Sequence, residues 1–226
     1  MALSDKRILK EKKNGKIVIE PFNRAHLSTS SYDVTLGKYF FREQPPSKRS
    51  YHHIFDIYSE KHVAEVWGTK AQCAKKAREE FKISGSRVED FDGIHPNDEV
   101  IVLSPGETIL GHTEEFIGGK KDITTMMKAK SSFGRVFISV CKCAGWGDVG
   151  YVNRWTMEIT NNSTHHTIPL VVGRRIAQIV FFHTGPTLGN YSKSGKYQTS
   201  LDVEKLKHEW RPEMMLPRLW KEVKKV

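Results

Sequence analysis

The 226-residue chain has only three cysteines, and two of them, Cys141 and Cys143, are one residue apart. That set cannot build a disulfide framework, so a reducing, cytoplasmic setting is expected, the host's cytoplasm if a phage encodes the chain. No Cys-x-x-Cys occurs, and the paired-cysteine zinc sites are set aside. No stretch approaches the 18 apolar residues of a membrane helix, so no membrane partner is expected. The N-terminus, MALSDKRILKEKKNGK, lacks the apolar centre of a signal peptide. Acid is in short supply: 26 Asp and Glu face 36 Lys and Arg, a formal net charge of +10. Such an excess suits an anionic partner, either nucleic acid or a phosphorylated small molecule, or serves solubility alone. Part of it lies at the two ends, Lys6 to Lys16 and Lys221 to Lys225, where solvated termini are the simplest reading.

What is present is mostly strand signal. Leu3-Ser4-Asp5 followed by KRILKEKKNGK reads as an N-capped short helix that ends near Asn14-Gly15, and IVIEPF follows as a strand. HLSTSSYDVTLG reads as a polar turn feeding an alternating strand, where Asp33 has the chemistry to bond nearby backbone amides. YFFRE and YHHIFDIY read as strand pieces around a Pro-Pro loop. The His52-His53 pair lacks further ligands at metal spacing and is expected to be structural. Residues 59–81 carry Val63, Val66, Trp67, Cys73 and Ala77 at helical spacing, giving one helix or two broken near Gly68. From Glu99 the strands become continuous, with turns at Pro105-Gly106 and Gly173. Val136 to Cys143 is apolar at alternate and intervening positions alike, which predicts a central strand buried on both faces. After Pro186 come a loop, a basic helix and a Pro-punctuated tail. Closely spaced strands with Gly and Pro turns predict an all-β jelly-roll or barrel.

Three short segments carry candidate chemistry. In KAKSSFGR, small residues, the hydroxyls of Ser131 and Ser132, and the cations Lys130 and Arg135 suit an anion. Its spacing is not that of a P-loop. In AGWGDVGY, Asp148 can accept from a sugar hydroxyl while Tyr151 packs on a ring, although a tight turn alone also explains the glycines. In WTMEITN, the apolar Trp155, Met157 and Ile159 take one face and Thr156, Glu158 and Thr160 the other. A mid-strand carboxylate is disfavoured unless it is exposed or faces a polar cavity, where it is poised for proton transfer.

Taken in order, SSYDVTLG (30–37), KSSFGR (130–135), AGWGDVGY (144–151), WTMEITN (155–161), VGRRIAQIVF (172–181) and GKYQ (195–198) resemble the dCTP deaminase branch of the dUTPase-like superfamily. The resemblance covers roughly residues 1–40 and 99–200 and implies one dUTPase-like domain over 1–226. Residues 41–98 would be a family-atypical helical insertion and 201–226 a basic C-terminal tail. It implies a distorted β-barrel assembled as a homotrimer with active sites at subunit interfaces. The substrate would be a deoxycytidine nucleotide with Mg2+ on its phosphates, and no zinc. Glu158 would be the general base that activates water for attack on C4 of cytosine, yielding dUTP and ammonia. Ser131 and Arg135 would order that water and the base. Lys130, Ser132, Ala144, Asp148 and Tyr151 would contact the nucleotide, with Asp148 on the deoxyribose. Tyr191, Lys196 and Gln198 would belong to a loop closing over the triphosphate.

The chain departs from the family pattern in Gly145-Trp146-Gly147 before the aspartate, in Lys130 where arginine is usual, and in Ser200 where a glutamine is usual. These departures leave dCMP or a modified cytosine open as substrate. Two further alternatives stand beside the deaminase: a dUTP pyrophosphatase or bifunctional enzyme, and a nucleotide-binding regulatory protein. Nucleic acid is the less expected partner.

Overall fold

A computed structural model of the chain describes residues 1–46, 54–83, 85–189, 191, 195–198 and 200–222. Helix α1 (Asp5–Lys13) begins at Ser4, whose hydroxyl accepts from the Arg7 amide, and ends at Asn14. It sets Ile8 into the core. Strands β1 (Ile17–Glu20), β2 (Tyr32–Thr35) and β3 (Tyr39–Arg42) follow. β2 is buried at all four residues rather than alternating.

Of the two readings of residues 59–81, the one broken near Gly68 holds. Helix α2 (Glu60–Trp67), capped by Ser59, stops where Gly68 takes φ 80°. Short strands β4 (Gln72–Cys73) and β5 (Lys75–Lys76) separate it from helix α3 (Ala77–Ile83). Residues 54–58 form no strand, contrary to expectation, and His52-His53 lies outside the described residues. The insertion is stitched onto the β framework by pairing of β4 with β3 and β5 with β6 and by two apolar clusters. Ala77, Phe81 and Val88 pack on Val100, and Trp67 joins a cluster with Phe41 and Leu110.

The remaining strands are β6 (Glu99–Leu103), β7 (Thr108–Gly119), β8 (Ile123–Ala129), β9 (Ile138–Ser139), β10 (Trp146–Gly147), β11 (Val152–Asn161), β12 (Ile168–Val171) and β13 (Arg175–His183). Among the described residues they form three antiparallel sheets instead of one closed cylinder: β4-β3-β7-β11-β9 with β1 also on β7, then β10-β8-β13-β2, then β12-β6-β5. The main core lies between them and includes Ile109, Ile117, Met157, Ile159, Ile179 and Phe181, each almost wholly buried. The architecture is the distorted all-β type that the turn and strand spacing predict.

Another strand expectation also fails. Residues 136–143 are not a central strand: Val136 and Phe137 are exposed, and only Ile138–Ser139 pairs, at the edge of β11. Left-handed backbone at Phe137, Lys142 and Cys143 bends the segment out of any continuous ladder. Before it, Ser131–Arg135 forms the short helix α4.

The tail is part of the packed structure. Helix α5 (Val203–Glu209), capped by Asp202, places Leu206 and Trp210 against Phe116 and Val152. A 3-10 turn at Pro212–Met215 then sets Met215 on Phe41 and Leu110.

Candidate active site

Strand β11 alternates as its sequence predicts: Trp155, Met157 and Ile159 enter the core, while Thr156 and Glu158 face the other way. Register fixes their neighbours. Glu158 lies opposite Leu110 on β7, which lies opposite Phe41 on β3; Thr156 lies opposite His112. Directly opposed residues share a face with Cβ atoms about 5 Å apart. One sheet face therefore runs from a carboxylate and a hydroxyl on β11 to aromatic and aliphatic groups on β7 and β3.

The tail covers only the second half of that face. Trp210, 8% exposed, packs at a tilt against the His112 ring at 4.7 Å and receives the Arg154 guanidinium over its ring at 4.8 Å. Met215 covers Leu110 and Phe41. The β11 half stays open to a cavity of about 480 Å³ that reaches across to Ala144, Asp148 and Tyr151.

Glu158 lines this cleft. Its Oε2 is buried and, among the described residues, accepts no hydrogen bond. Burial pushes the carboxyl above its ordinary value, and its own backbone amide and Lys142 pull only partly the other way. A buried acceptor without a partner is costly and uncommon, and in a cavity it marks a place for a donor to enter.

The opposite rim is the 144–151 segment. Two of its glycines serve close approach rather than a turn. A Cβ at Gly147 would stand 2.4 Å from Thr125 Oγ1 and 2.5 Å from the Trp155 ring, and one at Gly145 would stand 2.4 Å from the Met127 carbonyl oxygen. Gly147 also accepts from the hydroxyls of Thr124 and Thr125. Gly150 alone among the three takes positive φ, 94°. Asp148 is exposed at the rim, and among the described residues its carboxylate accepts no hydrogen bond. The turn is closed by backbone, the Tyr151 amide donating to the Asp148 carbonyl at 2.9 Å. Tyr151 meets Tyr191 edge-on at 5.3 Å, and desolvation raises the pKa of both phenols.

The cavity thus gathers Glu158, Ala144, Asp148, Tyr151 and Tyr191 of the sequence-derived candidates. The others lie elsewhere in the chain's own fold. Ser131, Ser132 and Arg135 are exposed on α4. Lys130 is ion-paired with Asp33, a carboxylate 1% exposed that also meets Arg175 at 3.2 Å. Asp33 is therefore an ion-pair centre and not a local turn cap. Lys196 is paired with Glu222 of the tail. Gln198 is a clamp: its Oε1 accepts from the Val152 amide at 2.7 Å, and its Nε2 donates to the carbonyls of Gly150 and Ser200.

Sequence reasoning missed the wall made by Trp67, Arg154, Trp210, Met214 and Met215. The available signal was the cluster of Trp and Met between residues 210 and 215 in an otherwise basic tail, since large apolar side chains there need a surface to cover.

Comparison with known proteins bears on this arrangement. A solved structure of 2'-deoxycytidine 5'-triphosphate deaminase from Agrobacterium tumefaciens superposes with a TM-score of 0.52 at 19% identity, over 85% of this chain and 50% of that one. The all-β fold is thus shared, and this chain spans half the length of that protein. The dCTP deaminase-like family model matches residues 2–184. Two curated relatives, from Methanococcus aeolicus and Methanococcus vannielii, are both named dCTP deaminase, dUMP-forming. The first is 32% identical over 81% of this chain and 84% of its own; the second is 31% identical over 95% and 99%. The chain belongs to the dCTP deaminase-like family.

Proposed function

We propose that this protein converts dCTP to dUMP, with Glu158 as the base of the deamination step. The observation that carries the reading is the buried Oε2 of Glu158, which accepts no hydrogen bond among the described residues, on a side chain that lines the cavity. A carboxylate of raised pKa takes a proton from water as the oxygen attacks C4, and holds it long enough to pass it to the departing nitrogen. The C4–N4 bond breaks, ammonia leaves and the ring carbonyl remains. A second water then attacks the α-phosphorus and diphosphate departs, so that dCTP and two waters give dUMP, diphosphate and ammonia.

Two things favour this product over the dUTP expected from the sequence. The curated relatives carry the name dUMP-forming, and Asp148 shares the cavity with Glu158. Asp148 is suited to hold the deoxyribose and to orient the second water. Magnesium would belong to the substrate in this reading and would neutralise phosphate charge.

Ser131, Ser132 and Arg135 act in this reading on a neighbouring copy. They are exposed on α4, outside the cavity, beside the exposed apolar Val136 and Phe137. A second copy covering that surface brings the hydroxyls and guanidinium to its partner's open cleft, giving a homotrimer with shared sites.

The test is product analysis with magnesium and dCTP, dCMP or dUTP supplied separately. The expected result is dUMP and diphosphate from dCTP. Accumulation of dUTP from dCTP, with added dUTP untouched, would confine the enzyme to deamination. No product from dCTP would refute the reading.

A further inference from the structure

The two flanks of Glu158 differ in chemistry. On the β7 side stand Leu110, its direct cross-strand neighbour, then Met215 from the tail and Trp67 from the insertion, all lining the same cavity. On the other side lies the turn at Ala144 to Asp148, whose peptide groups and Asp148 carboxylate are polar beside the Trp146 ring. A cytosine whose C4 faces Glu158 has two ring atoms beside C4, the polar N3 and the apolar C5. Desolvating N3 against Leu110, Met215 and Trp67 leaves a hydrogen-bonding atom unpaired, whereas C5 loses nothing there.

We infer that Leu110, Met215 and Trp67 form a subsite for the C5 edge of the base, and that the protein takes C5-alkylated cytosine deoxynucleotides as well as dCTP. The inference rests on the deaminase reading above and adds an activity to it. With 5-methyl-dCTP, water oxygen bonds to C4, the C4–N4 bond breaks, ammonia leaves and the product is a thymidine nucleotide. Met215 and Trp67 come from the tail and from the insertion, so segments outside the resemblance set the specificity of the shared site.

The experiment compares dCTP, 5-methyl-dCTP and 5-propynyl-dCTP with the full-length protein, measuring kcat/KM by ammonia release. Kd is measured from quenching of the cavity tryptophans, Trp67, Trp146, Trp155 and Trp210. One methyl moved from water onto an apolar wall is worth up to about fourfold. The expected kcat/KM for 5-methyl-dCTP is therefore equal to that for dCTP or up to about fourfold above it, with Kd in the same order.

Met215→Ala and Trp67→Ala each enlarge the flank from a different element. Each should raise the 5-propynyl-dCTP to dCTP ratio at least about fivefold, roughly what one or two added methylenes gain on burial. The ratio is internal to one variant and does not depend on how much of it folds. Turnover of dCTP with 5-methyl-dCTP about tenfold worse in both kcat/KM and Kd, or ratios unmoved in both variants, overturns the subsite and leaves the deaminase reading standing. Tighter binding of 5-methyl-dCTP with no turnover of any cytosine nucleotide supports the subsite and refutes the reading beneath it.

Discussion

Replacing Glu158 by Gln should make the protein more stable and nearly inactive. The side chain keeps its shape, so Leu110 and Thr156 keep their neighbours, but the charge leaves a site where Oε2 has no donor. An unsatisfied buried polar atom costs about 1–3 kcal/mol, and more if charged. A neutral amide still leaves part of that cost, so the net gain is about 1 kcal/mol at neutral pH. For a chain of this length that gain raises Tm by about 2–4 °C.

The sign of the pH dependence follows from the raised carboxyl. Burial holds the folded pKa above the ordinary 4.5, so the wild type is penalised as pH rises above 4.5, and fully so once pH exceeds the folded pKa. The penalty shrinks as pH falls towards 4.5 and vanishes below it, where folded and unfolded carboxyls are both protonated. The Tm advantage of Glu158→Gln should therefore be full at pH 7.5 and absent at pH 4. Thermal unfolding of the two proteins side by side measures the difference and cancels every other titrating group. Ammonia release from dCTP should fall about 10²–10⁴-fold in the same variant, the usual contribution of a general base. A variant less stable than wild type at pH 7.5 would show that the carboxylate is satisfied, and near wild-type ammonia release would remove Glu158 from the chemistry.

Two further expectations concern other parts of the molecule. His112 is fully buried and neutral, accepting from the Tyr39 amide and bonding the Thr113 carbonyl; burial lowers its pKa to about 4. Its contribution to stability is complete above the ordinary 6.5 and is lost as pH falls from there to about 4, amounting to about 3 kcal/mol. Urea unfolding should show this acid loss in the wild type and a much smaller one in His112→Asn, and equal slopes in both would assign the loss elsewhere. Subunit mixing tests the shared site: Glu158→Gln and Arg135→Ala should each be inactive alone. Denatured and refolded together, they should recover about one site in four by random assembly, and no recovery would place both residues in one subunit's site.

The periodicity of β11 was legible in the residues themselves. Alternation in WTMEITN put Trp155, Met157 and Ile159 inward and Glu158 on the opposite face, because successive strand side chains point to opposite sides. The span of α1 was equally legible, and a break near Gly68 was one of two open readings, since caps and glycine stops act through contacts within a few residues. Val136 to Cys143 misled for the same reason in reverse. An apolar run reports that something must cover it, and the left-handed residues 137, 142 and 143 that turn it out of the sheet are not written in its composition.

What surrounds Glu158 was decided by chain-distant pairing. The register of β11 on β7 and of β7 on β3 chose Leu110 and Phe41 as its neighbours. The docking of Trp210 on His112 and Arg154 brought the tail over half of that face and left the other half open. Sequence alone determined which residues could carry the chemistry, because strand period, turn residues and capping are local. Only the tertiary structure decided which of them share one cavity. Burial of the carboxylate and the apolar wall beside it arise from segments more than forty residues away along the chain, where no local pattern can specify a contact.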